Sequence, residues 1–483
     1  MDRPEDLFDR EQAWSDLARF ASDPMPGVRL GVVYGRRRQG KSFLLRRLAR
    51  GVDGLYTMAL EHERRPALDR FADDLASKRS MAVGTLRFDR WETALAEAVR
   101  GGGLVVIDEL PYLLRHSPEL PSILQALHDD HRTGPPTGII LCGSAFSVMS
   151  DLLSGAKALR GRAILDLLLG PFDPRTARRY WGIEDPEVAF IAHALVGGTP
   201  GYRDLIRTTP PQRVRDVGRW LATSLLDPSH ALFREADYLL REDPRVTDRG
   251  MYHAVLAAIA GGARTPTVLG QRIGRDARAL AHPLDVLTSA GFVTADADAF
   301  SERKPSYRVV DPVLRFDEVV IRPHTADLEE RNAEAVWARA APAVASAIYG
   351  PHFEELARIW TRTTASSVLG VPIGPVAPAS INDASQRTQL QVDVVALERG
   401  ARAPSRSARV LLIGEAKASE RARTMADVER LRRARDLLVT AGIDASRARL
   451  ALFGRAGFSP DLHRTAAADG TLLVDLAMMY TES

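Results

Sequence analysis

The stretch that decides the fold is Gly35-Arg36-Arg37-Arg38-Gln39-Gly40-Lys41-Ser42. It follows an apolar run at residues 30–34 and precedes a leucine-rich segment with helical spacing, so the predicted order is strand, glycine loop and helix. The glycines let backbone N–H groups surround phosphate oxygens, Lys41 can reach the β- and γ-phosphates, and Ser42 can ligate Mg²⁺. We therefore predict a site for ATP and Mg²⁺. Its nucleotide-contacting residues are predicted to be Gly35, Arg38, Gln39, Gly40, Lys41, Ser42 and Phe43.

Size and composition indicate a multidomain globular protein. The 483 residues are too many for one ordinary core, and about 150 residues per domain gives about three domains. The net charge of +3 means that a nucleic-acid partner would have to meet local basic faces. Cys142 is the only cysteine, which excludes an internal disulfide. Apolar runs are far shorter than the roughly 20 residues of a membrane span, so we expect a cytoplasmic protein without membrane contact.

A second apolar strand ends in two carboxylates. Residues 104–107 are all aliphatic, and Asp108 and Glu109 follow them directly. In a buried parallel strand, such a pair emerges beside the phosphate loop, where Asp108 can hold the Mg²⁺ shell and Glu109 can polarise the attacking water. An acidic pair after a strand is otherwise a common helix cap. The phosphate loop upstream favours the metal and water roles.

Two polar residues are candidates for contacting the γ-phosphate. Ser144 follows the apolar strand at residues 138–143, and an ordinary strand-end turn is the alternative. Arg162 precedes the strand-like residues 163–169 and can stabilise γ-phosphate charge in cis or across a subunit boundary. A solvated basic turn is the alternative for Arg162. Its role across a boundary would imply a homo-oligomer formed through this domain.

The order of these motifs resembles the archaeal-type ATPase family, whose relatives include the STAND and origin-recognition ATPases. The run at residues 197–202 is similar to the Gly-x-Pro element of that family's helical lid. The resemblance implies a P-loop NTPase parallel α/β sheet at residues 1–170 and a helical lid at residues 171–245. The motifs that carry it are Phe8-Asp9-Arg10-Glu11, the loop at residues 35–42, Ile107-Asp108-Glu109-Leu110-Pro111-Tyr112-Leu113 and Leu141-Cys142-Gly143-Ser144.

Residues 246–322 have the pattern of a winged helix, with three helical segments followed by two short strands. Two roles stay open. Arg278 and His282 on the third helix, together with Arg303 and Lys304 in the wing, can face a DNA groove. Alternatively the domain packs on the nucleotide domain and senses its state, which the small number of basic residues on the third helix favours. The Ala- and Glu-rich residues 323–345 predict a helical connector.

Residues 346–483 contain three elements that can carry chemistry. A helix is predicted to begin near Glu354, and strands at 390–396 and 410–417 flank a polar loop, which predicts an antiparallel hairpin. The hairpin brings Asp393 near the level of Glu415, and Glu415 and Lys417 share one face. We predict that both carboxylates bind Mg²⁺ and that Lys417 lies beside the metal-activated water. Converging carboxylates repel each other, so we expect a metal between them.

These residues resemble the PD-(D/E)xK nuclease superfamily, although Val392 stands where the pattern has proline. The resemblance places Asp393 at the metal-binding Asp, Glu415-Ala416-Lys417 at the E-x-K and Glu354 at the helix glutamate. It implies a small α/β restriction-endonuclease-like domain. A chance match on solvated strands is the alternative. The helix at 425–440 carries four arginines that face either DNA phosphates or solvent: Arg430, Arg432, Arg433 and Arg435.

The combined prediction is an ATP-hydrolysing switch coupled to a Mg²⁺-dependent nuclease that acts on DNA. The alternative is an ATP-dependent DNA-binding or signalling protein whose C-terminal domain is a noncatalytic interaction module. A small-molecule kinase is disfavoured because Glu109, a water-activating residue, follows Asp108.

Overall fold

The N-terminal part folds around a five-stranded parallel sheet, which confirms the α/β prediction for this region. The structure is a computed structural model that describes residues 2–155, 157–243, 245–246, 248–302 and 305–481. Arg303 and Lys304, invoked above for the DNA-reading role, lie outside the described residues. The strands are β1 (Val28–Tyr34), β2 (Leu55–Met58), β3 (Gly103–Asp108), β4 (Thr137–Gly143) and β5 (Ala163–Leu168). The helices are α1 (Glu11–Ala21), α2 (Lys41–Gly51), α3 (Arg64–Lys78), α4 (Trp91–Val99), α5 (Leu110–His116), α6 (Leu120–Asp130) and α7 (Phe146–Asp151).

The strand order, β2-β3-β4-β1-β5, decides which loops meet. Helices cover both faces of the sheet and bury its aliphatic side chains in two separate cores. Because all five strands are parallel, the residues that follow β1, β3 and β4 emerge at one edge. β4 lies between β1 and β3, so the residue after β4, Ser144, stands between the phosphate loop and the acidic pair.

A helical lid follows the sheet and docks on the phosphate loop. The N–H of Gly201 donates to the carbonyl oxygen of Arg38 at 3.1 Å. Elsewhere in the lid, a Cβ at Gly198 would lie 1.9 Å from the carbonyl oxygen of Phe172, so the close approach of these two backbone segments requires glycine. The lid helices are α8 (Pro174–Trp181), α9 (Pro186–Leu195), α10 (Pro200–Ile206), α11 (Val217–Ala222) and α12 (Glu235–Glu242).

The next region, for which we keep the name winged helix, has three helices and a two-stranded antiparallel ribbon. The elements are α13 (Arg249–Ala260), α14 (Pro266–Ile273), α15 (Ala281–Ser289), β6 (Val293–Asp296) and β7 (Ser306–Val309). α16 (Pro312–Phe316) closes this region, and the predicted connector contains α17 (Thr325–Glu329) and α18 (Ala333–Val344). A π-helical turn, Ala345–Tyr349, joins α18 directly to α19 (Gly350–Leu369). The predicted boundary at residue 346 therefore falls inside one continuous helical segment.

The C-terminal sheet has five strands in the order β12-β11-β10-β9-β8. The first three strands along the chain pair antiparallel, and the last two add in parallel to β10. β8 was not predicted because Pro375 and Pro378 interrupt its pattern, and prolines are tolerated there because β8 is an edge strand. The elements are β8 (Ile373–Asp383), β9 (Thr388–Glu398), β10 (Val410–Lys417), α20 (Met425–Thr440), β11 (Arg449–Gly454), α21 (Pro460–Asp469), β12 (Leu472–Asp475) and α22 (Leu476–Tyr480).

One hydrophobic core crosses the predicted domain boundaries. It joins the lid helices, the connector and one face of the C-terminal sheet. Phe190 of α9 packs against Phe353 of α19 with ring centroids 5.8 Å apart, and Trp360 of α19 packs against Phe453 of β11 at 5.7 Å. The lid and the C-terminal domain are therefore parts of one packed unit rather than separate bodies. Among the described residues, no helix has the length and apolar character to cross a bilayer.

Replacing Phe353 by alanine is expected to lower the free energy of unfolding by about 3–5 kcal/mol, the usual range for a buried phenylalanine. The side chain is fully buried at the centre of the shared core. Urea unfolding measures the change. Val371→Ala is the matched control, since Val371 is 43% exposed and its loss should change the free energy by less than about 0.5 kcal/mol. Equal effects of the two substitutions would contradict the shared core.

Candidate functional sites

A cavity of about 610 Å³ opens at the C-terminal edge of the parallel sheet. Its walls come from the phosphate loop, the segment before α1, and the lid helices α8 and α10. Gly35 adjoins the cavity wall, and its φ of 150° together with a would-be Cβ 2.2 Å from the carbonyl oxygen of Leu169 requires glycine. The predicted residues that line the cavity are Arg38, Gln39, Gly40, Lys41, Ser42, Phe43 and Glu109.

Lys41 is the buried cation of this cavity. Its Nζ donates to the carbonyl oxygens of Gly35 at 2.7 Å and Arg36 at 3.0 Å. Lys41 is also the first residue of α2, and Gly40 before it adopts the left-handed conformation. The first N–H groups of a helix lack partners within the helix and carry its positive dipole end. An ammonium group and free N–H donors therefore converge at this end of the cavity, which suits an anion.

The acidic pair is held by neighbouring strands. Asp108 is fully buried; its Oδ2 accepts from the Tyr56 hydroxyl at 2.5 Å and its Oδ1 from the N–H of Glu109 at 2.9 Å. Glu109 has a left-handed backbone (φ 55°), a strained conformation typical of functional residues. Burial and the charge of Asp108 raise the pKa of Glu109, while Lys41 opposes the shift. Ser144 Oγ donates to Glu109 Oε2 at 3.2 Å, so the structure brings Ser144 to the predicted water-activating residue.

Three aromatic rings form the other end of the cavity. Phe8, Phe172 and Tyr180 contact one another with centroids 5.1–5.7 Å apart, and all three line the cavity. Arg10 stacks over Phe172 at 4.5 Å and donates to the carbonyl oxygen of Gly170 at 2.6 Å. Sequence reasoning missed Phe172 and Tyr180. The only usable signal was the motif at residues 8–11, because nothing near Tyr180 in sequence marks it as a pocket residue.

Two predicted nucleotide contacts take other partners. Arg38 forms a two-point ion pair with the buried Glu235 of α12, at 2.8 and 3.2 Å. Arg162 precedes β5 and therefore lies at the N-terminal edge of the sheet, opposite the cavity, where it pairs with Asp129 at 2.9 Å. The structure does not bring Arg162 to the cavity of its own chain. A contact across a subunit boundary stays a prediction.

The winged helix packs on the phosphate loop. Arg36 Nη1 lies 3.0 Å from Asp311 Oδ2, and the Arg36 guanidinium stacks over Phe292 at 4.9 Å. These contacts are the arrangement expected for the internal, state-sensing role. Arg278 and His282, the candidates for reading DNA, are exposed.

A second candidate site lies on the C-terminal hairpin. Val394 of β9 pairs with Gly414 of β10, so Asp393 and Glu415 face each other across the two strands as predicted. Asp393 Oδ2 accepts from the N–H of Ala416 at 2.9 Å. Burial and the nearby Glu354 and Glu415 raise the pKa of Asp393 to about 7. Asp393 therefore lies where negative charge is in excess.

A metal between these carboxylates stays a prediction, because neighbouring cations already offset the charge of one of them. Glu415 is 3% exposed, and three cations surround it: Lys417 at 3.0 Å, Arg430 at 3.4 Å and Arg423 at 3.6 Å. The protein itself therefore offsets the charge of Glu415. Among the described residues, the one group of three or more His, Cys, Asp or Glu side chains whose ligand atoms lie within 4.8 Å of one another is His253, Asp317 and Glu318.

Glu354 faces a cavity of about 520 Å³ between the winged helix and the C-terminal domain. Its Oε2 pairs with Arg264 Nη1 of the winged helix at 3.1 Å. Asp393 lines the same cavity, and Arg358 donates to the Asp393 carbonyl oxygen at 3.1 Å. Glu354 and Asp393 are thus brought together, whereas Glu415 and Lys417 lie outside the lining of this cavity.

Two histidines join the aromatic end of the first cavity to α19. His193 Nε2 lies 3.5 Å from the carbonyl oxygen of Phe172, and His193 Nδ1 lies 3.1 Å from His352 Nε2. Burial lowers the pKa of His193 to about 4 and that of His352 well below 6.5. Both rings are therefore neutral at pH 7.

Lowering the pH from 7 to 5 is expected to cost stability through these histidines, by roughly 2 kcal/mol for each of the two rings. Below about pH 6.5 the two histidines take up protons in the unfolded chain but stay unprotonated in the folded protein. The free energy of unfolding therefore falls as the pH falls. Urea unfolding at both pH values measures this. His193→Gln, which takes up no proton, should show a smaller loss than the wild type. Equal losses would contradict a neutral His193.

The fold and the arrangement of Lys41, Asp108 and Glu109 define a P-loop ATPase domain. Residues 7–182 match the family described as an ATPase domain predominantly from Archaea. This part of the chain is accordingly an archaeal-type ATPase domain, which confirms the resemblance noted for its motifs. The likeness of the C-terminal residues to nucleases stays a prediction.

Several known proteins are similar to this chain. The uncharacterized protein MJECL04 of Methanocaldococcus jannaschii is 24% identical over 306 residues, which are 62% of this chain and 65% of that protein's length. The Walker-type ATPase paby2304 of Pyrococcus abyssi is 21% identical, with a TM-score of 0.49 over 65% of this chain and 97% of its own. The ORC2 protein of Aeropyrum pernix, in ADPNP–ADP complexes, is 16% identical, with a TM-score of 0.42 over 70% and 97%.

Proposed function

We propose that the protein is an ATP-hydrolysing switch that controls a Mg²⁺-dependent nuclease acting on DNA. The observation that carries the first half is the 610 Å³ cavity, which has Lys41 and the N-terminus of α2 at one end and three aromatic rings at the other. Phosphates fit the first end and a purine ring fits the second.

Lys41, Glu109 and Ser144 have different roles in the proposed hydrolysis. Phosphate oxygens replace the Gly35 and Arg36 carbonyls as partners of Lys41. Glu109 polarises the attacking water, and Ser144, hydrogen-bonded to it, links the position of Glu109 to the γ-phosphate.

Mg²⁺ fits beside these residues. Asp108 Oδ2 accepts from the Tyr56 hydroxyl and Oδ1 from the N–H of Glu109; carboxylate oxygens have further lone pairs that would hold a cation, and Ser42 adds a hydroxyl. The bound ion supplies charge neutralisation for the phosphates.

The observation that carries the nuclease half is the facing pair Asp393 and Glu415 with Lys417 on the same face. Glu415 Oε2 is buried without a hydrogen bond, although Arg430 Nε lies 3.4 Å from it, and burial together with neighbouring carboxylates raises the pKa of Asp393. Both features fit a hard divalent cation. The order α19, three antiparallel strands β8–β10, α20 and parallel β11 also agrees with the restriction-endonuclease-like fold that the resemblance implies.

One observation favours the second candidate, a noncatalytic interaction module. Glu415 is already surrounded by Lys417, Arg423 and Arg430, so its charge is offset without a metal. Isothermal titration of the full-length protein with Mg²⁺ separates the two. A nuclease site should show a binding event that Asp393→Ala removes, whereas an interaction module should show only the event at the ATPase domain.

Cleavage assays test the proposal as a whole. Linear duplex, circular duplex and single-stranded DNA, with RNA for comparison, are incubated with the full-length protein and Mg²⁺, with and without ATP. We expect DNA cleavage that depends on both ATP and Asp393. ATP hydrolysis without cleavage of any substrate would contradict the nuclease half and leave the ATPase half standing.

A further inference from the structure

The winged helix reaches the nuclease-like site as well as the phosphate loop. Arg264, in the loop between α13 and α14, pairs with Glu354 at 3.1 Å. Arg308 of β7 pairs with Asp296 at 2.7 Å and lies 3.7 Å from Glu355, the next residue of α19. Two winged-helix arginines thus face the first turns of the helix that carries the predicted catalytic glutamate.

The wing itself is fixed to the C-terminal domain by backbone contacts. The N–H of Ala299 donates to the carbonyl oxygen of Pro378 on β8 at 2.8 Å, and the Ala299 carbonyl oxygen accepts from the N–H of Ser405 at 2.9 Å. Asp298 accepts from the N–H of Ser380 at 2.7 Å. Ala299 is fully buried within the core of the C-terminal domain. The wing therefore closes one side of the 520 Å³ cavity.

The charges in this cavity disfavour nucleic acid while it is closed. Three arginines and four carboxylates line it, and each arginine already has a partner in the protein. A phosphate backbone needs uncommitted cations. The volume is that of a site for a small molecule, far below what a duplex requires. Strand access to Glu354 and Asp393 thus requires the winged helix to move.

Arg36 connects the winged helix to the lysine of the phosphate loop. The Arg36 carbonyl oxygen accepts from Lys41 Nζ, and the Arg36 guanidinium pairs with Asp311, two residues beyond β7. When phosphates take Lys41, Arg36 loses that partner. Arg36 therefore contacts both Lys41, which we propose to bind the phosphates, and Asp311 of the winged helix.

We propose that the winged helix is an inhibitory cover on the nuclease-like site, held by the Arg264–Glu354 ion pair and released when ATP binds at the phosphate loop. The proposal rests on the proposed nuclease function of this site. In the covered state Arg264 neutralises Glu354 and the wing blocks the cavity. In the released state Glu354 and Asp393 face the substrate.

Arg264→Ala tests the cover in the full-length protein. Cleavage of the DNA substrates without ATP should rise by about 5- to 150-fold, the usual range of coupling between two sites, and approach the ATP-stimulated rate of the wild type. Arg275→Ala, an exposed arginine of the same domain, should leave the ATP dependence unchanged. Arg264→Lys keeps the charge and should give a smaller rise. Cleavage that still requires ATP in folded Arg264→Ala would overturn the proposal.

Hydrogen exchange separates failure of the cover from failure of the nuclease. With ATP bound to Glu109→Gln protein, amides at residues 296–302 and 350–358 should exchange faster than without nucleotide, and Arg264→Ala should show the faster exchange without ATP. If no variant cleaves DNA, the proposed nuclease function is wrong. Hydrogen exchange still shows whether the winged helix moves when ATP binds. Unchanged exchange in both cases would overturn the cover.

Discussion

Replacing Lys41 by alanine is expected to reduce ATP hydrolysis by at least about a hundredfold, the usual cost of losing one preorganised group that stabilises transition-state charge. Lys41 is 5% exposed, and its ammonium lies at the phosphate end of the 610 Å³ cavity. In the structure Lys41 Nζ donates to two carbonyl oxygens of its own loop, so the hydrogen bonds lost with it are local to that loop. Activity should therefore fall without loss of the fold.

Phosphate release with saturating ATP and Mg²⁺ measures the effect, and circular dichroism checks the fold. Arg50→Ala is the matched control, because Arg50 is an exposed cation at the far end of the same helix. Glu109→Gln is the informative companion. It should retain nucleotide binding and lose turnover, whereas Lys41→Ala should lose both. Undiminished hydrolysis in both variants would contradict the assignment of the site.

Replacing Asp393 by asparagine is expected to abolish Mg²⁺-dependent cleavage, with a loss of at least about a hundredfold. Asparagine keeps the size of the side chain and an oxygen that can accept from the Ala416 N–H, so the hairpin should remain intact. It removes the charge that we propose to hold the metal. Lys417→Ala should give a comparable loss, since general acid–base groups contribute about a hundredfold or more.

The cleavage assay with and without ATP measures both variants. Asp461→Asn is the control, because Asp461 is an exposed carboxylate on α21 of the same domain. Its substitution should leave cleavage unchanged. If Asp393→Asn and Lys417→Ala both cleave like the wild type, the cleavage does not come from this site.

Local patterns were sufficient to predict the ATPase core. The strand before the phosphate loop, the loop itself and the acidic pair after β3 are each contiguous in sequence, and parallel strands bring their ends to one edge. Contacts between residues distant in sequence could not be predicted from local patterns. Tyr180 joins Phe8 across 172 positions, and no local feature of the lid marks it.

The C-terminal site shows the same limit. The facing of Asp393 and Glu415 followed from hairpin register alone. The charge around Glu415 did not, because Arg423 and Arg430 reach it from the turn before α20 and from α20 itself. The arginines considered for DNA contact are largely engaged: Arg430 pairs with Glu415, Arg432 with Glu429 and Asp469, and Arg433 with Asp383.

The core shared by the lid, the connector and the C-terminal sheet limits how this protein can be divided into fragments or joined to other domains. A chain cut before residue 346 would carry α19 and β11 away from the lid and expose the buried faces of Phe353 and other apolar side chains to water. Expressed alone, such a fragment should aggregate. By the same reasoning, a C-terminal domain transferred to a relative without its lid should not fold. Substitutions in the contacting residues of α9 and α19 should need to be made together.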